Sequence, residues 1–218
     1  MKLLHTLREE HALIERVALS FATLIAECER GTVPPADADA FVRFFQTYVL
    51  RHHKREEDIL FQALVRETDA PAERGPIRVL SDDHAGMAAQ LNELRALLLP
   101  PKDAVVEAAK AKRLGGQYVR ALIQHIDAEN DVLIPESLAR FKRANIKELP
   151  ELWDESETPD LAAGQVFRLL ERYEPAKLTD IFRGGRCSTC QAFGTRCDGV
   201  EREWSSEAEW EDMVDRIG

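Results

Sequence analysis

Two histidine–glutamate pairs, His52 with Glu56 and His125 with Glu129, stand four residues apart inside apolar-periodic stretches. On a helix that spacing stacks the two side chains one turn apart on one face. At about 100° per residue, the face of His52 and Glu56 also carries Phe41, Phe45, Tyr48, Ile59 and Ala63. His53 and Glu57 lie about 100° or more off that line. An imidazole and a carboxylate are therefore aimed into an apolar interior. Buried, they must be paired, hydrogen-bonded or bound to metal.

Of the six histidines, His11, His52, His84 and His125 each sit at the centre of an apolar stripe, one per expected helix. His5 and His53 point off their stripes. With a rise of about 1.5 Å per residue, the four inward histidines lie roughly 22–33 Å from the helix ends on one side of an antiparallel bundle. They share one level within a few turns, and Glu56 and Glu129 join them there. Four imidazoles and two carboxylates, with no basic partner on those stripes, form a metal site. Six protein ligands are too many for a structural zinc and too rich in nitrogen for calcium or magnesium. They suit two iron ions, with terminal imidazoles and carboxylates able to bridge.

The elements that must position these residues are four long amphipathic helices. The first spans about 2–30, with Leu4, Leu7, His11, Ile14, Ala18, Ala22 and Ile25 on one stripe and Gly31 as a stop. The second spans about 36–68, starting near Asp37 or Asp39. The third spans about 77–99, with Ile77, Leu80, His84, Met87, Leu91 and Leu98 inward. The fourth spans about 103–143, with Leu114, Tyr118, Ala121, His125 and Val132 inward, and Pro135 kinking or ending it locally. Short links between long helices imply an all-α, up-down-up-down four-helix bundle over residues 1–144. Residues 145–218 form a C-terminal extension. It holds an acidic 153–157 stretch, a short helix at Asp160–Arg172, a Cys-rich loop over 184–199 and a last acidic helix at Glu207–Ile217.

The order of ligands is the basis of a resemblance. His11, then His52 and Glu56, then His84, then His125 and Glu129, one step per helix, resembles the hemerythrin-like HHE cation-binding proteins. The strings Glu10–Glu15, Glu56–Phe61 and His125–Pro135 are similar too. The resemblance covers about residues 1–143 and implies a four-helix bundle holding two non-haem iron ions. It makes His11, His52, His84 and His125 terminal ligands and Glu56 and Glu129 bridging carboxylates. Oxygen-carrying members place a further histidine one turn after the third-helix ligand, where this chain has Ala88. The four-histidine, two-glutamate set instead looks like the subgroup linked to nitric oxide and iron-centre repair. An Glu-x-x-His spacing of the ferritin type is absent, since Arg8, Ser81 and Leu122 precede His11, His84 and His125 by three. Glu15 is a candidate acceptor for an imidazole N–H, and Asp82 and Asp83 are solvated or serve the same purpose. Tyr48 and Tyr118 read as core aromatics.

Cys187, Cys190 and Cys197 put three sulfurs in one Gly-flanked loop. Zinc, an iron–sulfur cluster, a redox CxxC pair and a loop of surface thiols all remain open there. Relatives in the repair subgroup carry their cysteines in an N-terminal extension, so the resemblance does not reach this loop.

The net charge of −10 argues against a nucleic-acid partner. No apolar run is long enough to span a bilayer, and the N-terminal residues lack a signal-peptide core, so a cytoplasmic location is expected. The expected function is binding of O₂, nitric oxide or peroxide at a di-iron site, for sensing, stress response or iron homeostasis. Whether turnover occurs is left open. The alternative is a metal- or redox-responsive sensor without turnover that contacts a protein partner through the C-terminal extension.

Overall fold

The computed structural model describes residues 1–28, 33–100, 107–149, 160–179 and 181, with backbone alone for 160–165. The 153–157 stretch, Cys187, Cys190, Cys197 and the Glu207–Ile217 segment lie outside the described residues. Among the described residues the fold is all-helical. Helix α1 is Lys2–Glu27 and α2 is a continuous rod over 35–67. Helix α3 is Gly75–Leu98, α4 is a second continuous rod over 108–143, and α5 is Asp160–Arg172. The first four form a ring in which α1 packs beside α2 and α4, and α3 beside the same two. This is the expected up-down-up-down bundle.

Local sequence explains the ends. Pro35 opens α2, where its missing N–H costs nothing. Gly75 starts α3 at φ 70°, a backbone that strongly favours glycine, and Pro76 follows in the first turn. Between α1 and α4, Gly115 lets the backbones close in. A Cβ there would lie 2.7–2.9 Å from side-chain atoms of Ile25.

The long rods are not uniform α-helix. Helix α2 contains two π-helical turns, Phe45–Val49 and Glu56–Phe61, and α4 contains one, Glu129–Leu133. A π-turn closes i→i+5 and takes up an extra residue, so the inward stripe moves on by one. Three expectations are corrected for this reason. Val49, not Tyr48, is buried at the end of the first π-turn; Leu60, not Ile59, is buried in the second; Leu133 is buried where Val132 was expected, and Val132 is 38% exposed. Pro135 neither ends nor breaks α4. It falls in the first turn of the α-segment Ile134–Arg143, directly after the π-turn. The Asn130 carbonyl, five residues before Pro135, accepts from Arg8 Nη2 at 3.0 Å, which ties α4 to α1.

Two apolar layers fill the bundle. One gathers Leu3, Leu4, Leu7, Leu60, Leu64, Leu80, Leu133 and Phe141 at the end holding the α1 N-terminus. The other gathers Ile14, Phe21, Phe41, Phe45, Met87, Leu94, Tyr118 and Leu122 toward the opposite end. Helix α5, expected as a short helix, joins this second layer through Val166, Leu169 and Leu170, and Tyr173 just after it joins too. Tyr173 Oη donates to Asp37 Oδ2 at 2.7 Å, and Arg172 pairs with the same carboxylate at 2.8 Å.

Adjacent glycines of α4 give a paired test of this packing. Gly115→Ala should lower stability despite gaining about 1 kcal/mol of helix propensity, because overpacking costs about 1–3 kcal/mol. Gly116→Ala meets nothing within 4 Å and should raise stability by about 0.5–1 kcal/mol. Urea unfolding measures both; equal gains would contradict the close α1–α4 contact.

Candidate metal centre

Each inward histidine sits between the two apolar layers. His11 lies between Leu7 and Ile14, His52 between Val49 and Leu60, His84 between Leu80 and Met87, and His125 between Leu122 and Leu133. All four rings are buried, and so are Glu56 and Glu129. The sequence expectation that six side chains from four helices share one level therefore agrees with the geometry.

The six point their polar atoms at one another. Glu56 Oε1 lies 3.2 Å from His52 Nε2 and 3.6 Å from His11 Nε2, and Glu56 Oε2 lies 3.6 Å from His84 Nε2. Glu129 Oε2 lies 3.1 Å from His11 Nε2, while its Oε1 lies 3.2 Å from His125 Nε2 and 3.8 Å from His84 Nε2. The Nε2 atoms of His84 and His125 approach to 3.0 Å. Each glutamate thus touches histidines from both halves of the ring.

The outer nitrogen of every ring is held. His11 Nδ1 donates to Asn130 Oδ1 at 2.9 Å, and His52 Nδ1 to Glu10 Oε2 at 2.8 Å. His84 Nδ1 donates to Glu57 Oε1 at 2.7 Å, and His125 Nδ1 faces Asp83 Oδ2 at 3.4 Å. Oxygens of these groups only accept, so a proton is on Nδ1 and each ring turns its Nε2 inward. This outer support is how proteins orient metal-binding imidazoles. Inside the ring, His11 Nε2, His52 Nε2, Glu56 Oε2 and both oxygens of Glu129 are buried without a hydrogen-bond partner. Buried polar atoms of this kind are costly unless something joins them, and carboxylates with imidazoles suit a cation.

Ligand-capable atoms fall into two groups, within each of which all lie inside 4.8 Å of one another. One is His11, His52, Glu56 and Glu129; the other is His53, Glu56, His84 and His125. The donor set fits two ions sharing a carboxylate. His53 departs from the sequence expectation. It is buried, not turned away, with its ring stacked on His84 at 3.9 Å. The centre is wider than one helix face, so a residue 100° off the α2 midline still faces α3.

Three supporting residues were not anticipated: Glu10, Glu57 and Asn130. Each is polar and adjacent in sequence to an inward ligand, so each reads as solvent-facing on its own helix. Glu10 is bound by Arg55 Nη1 at 2.5 Å as well as by His52. Asp83 is one of the two aspartates flagged beforehand. The acceptor for His11 is Asn130; Glu15 is half-buried and outside both ligand groups. Tyr118 is a buried core aromatic against Phe45, and Tyr48 stacks on Phe44.

Access to the centre lies between α2 and α3. A mainly apolar groove of about 940 Å³ reaches His53 and His84 past Leu50, Phe61, Val65 and Ile77. A narrower cavity of about 230 Å³, lined by Phe45, Val49, Met87, Leu91 and Tyr118, meets the same two histidines.

Charge reinforces the geometry. Burial alone would depress His11, but the carboxylates of Glu129 and Glu56 outweigh it and raise its pKa to about 10. His125 is likewise raised to about 10 against burial, by Glu129 and Asp83. Burial and the charge of Glu129 would push Glu56 up, yet His52 and His11 hold it down at about 2. Burial and the charge of His84 press His53 well below the usual imidazole range.

For the metal-free chain, the raised histidines stabilise the fold fully below the ordinary imidazole range and lose that contribution as pH climbs through about 10. The depressed Glu56 contributes above the ordinary carboxylate range and is lost as pH falls through about 2. A divalent cation must displace protons from the imidazoles, so loading should release protons and tighten as pH rises toward about 10. Titration calorimetry in buffers of different ionisation enthalpy measures the release; heats independent of buffer would contradict it.

A family model described as the hemerythrin HHE cation binding domain matches residues 2–137. The chain is 34% identical over 92 residues to an iron-sulfur cluster repair protein YtfE from Musicola paradisiaca (strain Ech703). That match covers 40% of this chain and 40% of the relative, so the chain spans about two-fifths of that protein's length. No solved structure matches. A family match of this extent, over the residues that build the ring, places the chain in the hemerythrin HHE cation-binding family.

Proposed function

We propose that the ring holds two non-haem iron ions and that the protein binds a diatomic or peroxide ligand there, in a stress or iron-centre repair role. The observation that carries this reading is the set of five buried, unpartnered ligand atoms on His11, His52, Glu56 and Glu129. His11 and His52 would hold one ion, His84 and His125 the other, with Glu56 and Glu129 shared between them. The likeness to a protein named for iron–sulfur cluster repair supports the physiological side of the proposal.

When bound, the irons would supply redox equivalents and a coordination position for the small ligand. The chain supplies the rest. Glu10, Glu57, Asp83 and Asn130 fix ring orientation and keep the Nε2 lone pairs inward. The apolar layers above and below exclude water from the centre and so strengthen every charge interaction inside it. The groove and cavity between α2 and α3 give a small ligand an apolar approach on the side of His84. Among the described residues no helix is long and apolar enough to cross a membrane.

Protein purified without oxygen should contain about two irons per chain, one for each ligand group. His52→Ala should lose most of one iron while keeping its helical circular dichroism. Nitric oxide added to the diferrous wild type should produce a new visible absorption that His52→Ala gives only weakly. Iron content unchanged in that variant would sink the ligand assignment.

A further inference from the structure

We propose that His53 is a fifth imidazole ligand, binding the ion held by His84, His125 and Glu56. The inference rests on the two-ion reading above. His53 is buried, and its nearest ring neighbours are imidazoles: His84 at 3.9 Å and 8° between planes, His125 at 5.4 Å, and His52 at 5.8 Å. Its ligand nitrogen shares a 4.8 Å span with those of His84, His125 and a Glu56 oxygen. An ion with bonds of about 2.1 Å sets ligand atoms about 3–4.2 Å apart, so small ring rotations bring that group onto one ion.

His53 also differs from the other buried imidazoles in its surroundings. Each of the other four has an oxygen on Nδ1. Among the described residues His53 makes ring contacts alone. Ala88, one turn beyond His84 on α3, offers no donor. Both Ala88 and His53 line the groove and the narrower cavity, so on this side His53 is the available imidazole. The two halves of the ring then become unequal. His11 and His52 serve one ion, and His53, His84 and His125 the other, which is also the ion nearest the groove.

The test uses the full chain reconstituted without oxygen with ⁵⁷Fe(II), comparing wild type, His53→Ala and His53→Phe; the phenylalanine keeps a flat ring against His84. Wild type must first load two irons; fewer would remove the two-ion reading itself, before His53 is in question. The proposal expects that in both variants one Mössbauer doublet changes while the other stays. One iron should be extracted by a competing chelator with affinity lowered at least about tenfold, as loss of a ligand or even its support causes. Added imidazole should restore the affinity and the doublet in His53→Ala. Unchanged doublets and affinities in both variants would overturn the proposal. So would a loss of iron that imidazole does not reverse in His53→Ala with native circular dichroism, since that marks packing alone.

Discussion

Two carboxylates and four imidazoles confront one another inside an apolar bundle, and every other feature of the fold accommodates that confrontation. Glu56 and Glu129 are fully enclosed, and three of their four oxygens have no hydrogen-bond donor. Leaving such atoms unpaired in a dry interior costs about 1–3 kcal/mol each, and more when they are charged. The protein surrounds this liability with a leucine-rich layer on one side and a larger aromatic layer on the other. Helix α5 and Tyr173 just beyond it add Val166, Leu169, Leu170 and the tyrosine ring to the larger layer, so burial outside the ring offsets what the ring costs.

Support for the ring is asymmetric. His11 rests on a neutral amide, and His52 on a carboxylate that Arg55 already neutralises. His84 and His125 rest on Glu57 and Asp83, both roughly half exposed. The α3–α4 half therefore sits beside more negative charge, partly screened by water, and beside the groove. The centre thus has one enclosed half and one half beside the groove.

Much of this was legible in the chain because helical periodicity is robust. Histidine and glutamate four residues apart on an apolar stripe have one reasonable orientation, so six residues at one level followed from counting. The π-turns were not legible. Nothing in the residue types at Glu56–Phe61 or Glu129–Leu133 announces an i→i+5 closure, and each turn moved the buried position by one, to Leu60 and Leu133. It is consistent with functional placement of π-turns that two of the three begin at the ring's glutamates. Partners that meet only through the fold were also hidden: Glu10 reaches His52 across 42 residues and Asn130 reaches His11 across 119. The Asp160–Arg172 helix was visible as a periodic segment, whereas the docking of Arg172 and Tyr173 on Asp37, and of Ala176 on Leu19, was not, because long-range packing leaves no local signature.

The central claim is that cations, not protons, complete this ring. An anomalous-difference map from crystals grown anaerobically with ferrous iron, collected on either side of the iron absorption edge, tests it directly. The account predicts two peaks inside the bundle, one between His11 and His52 and one beside His84 and His125, with Glu56 and Glu129 between them. A map with no peak within the ring, in crystals that hold iron elsewhere, would contradict it.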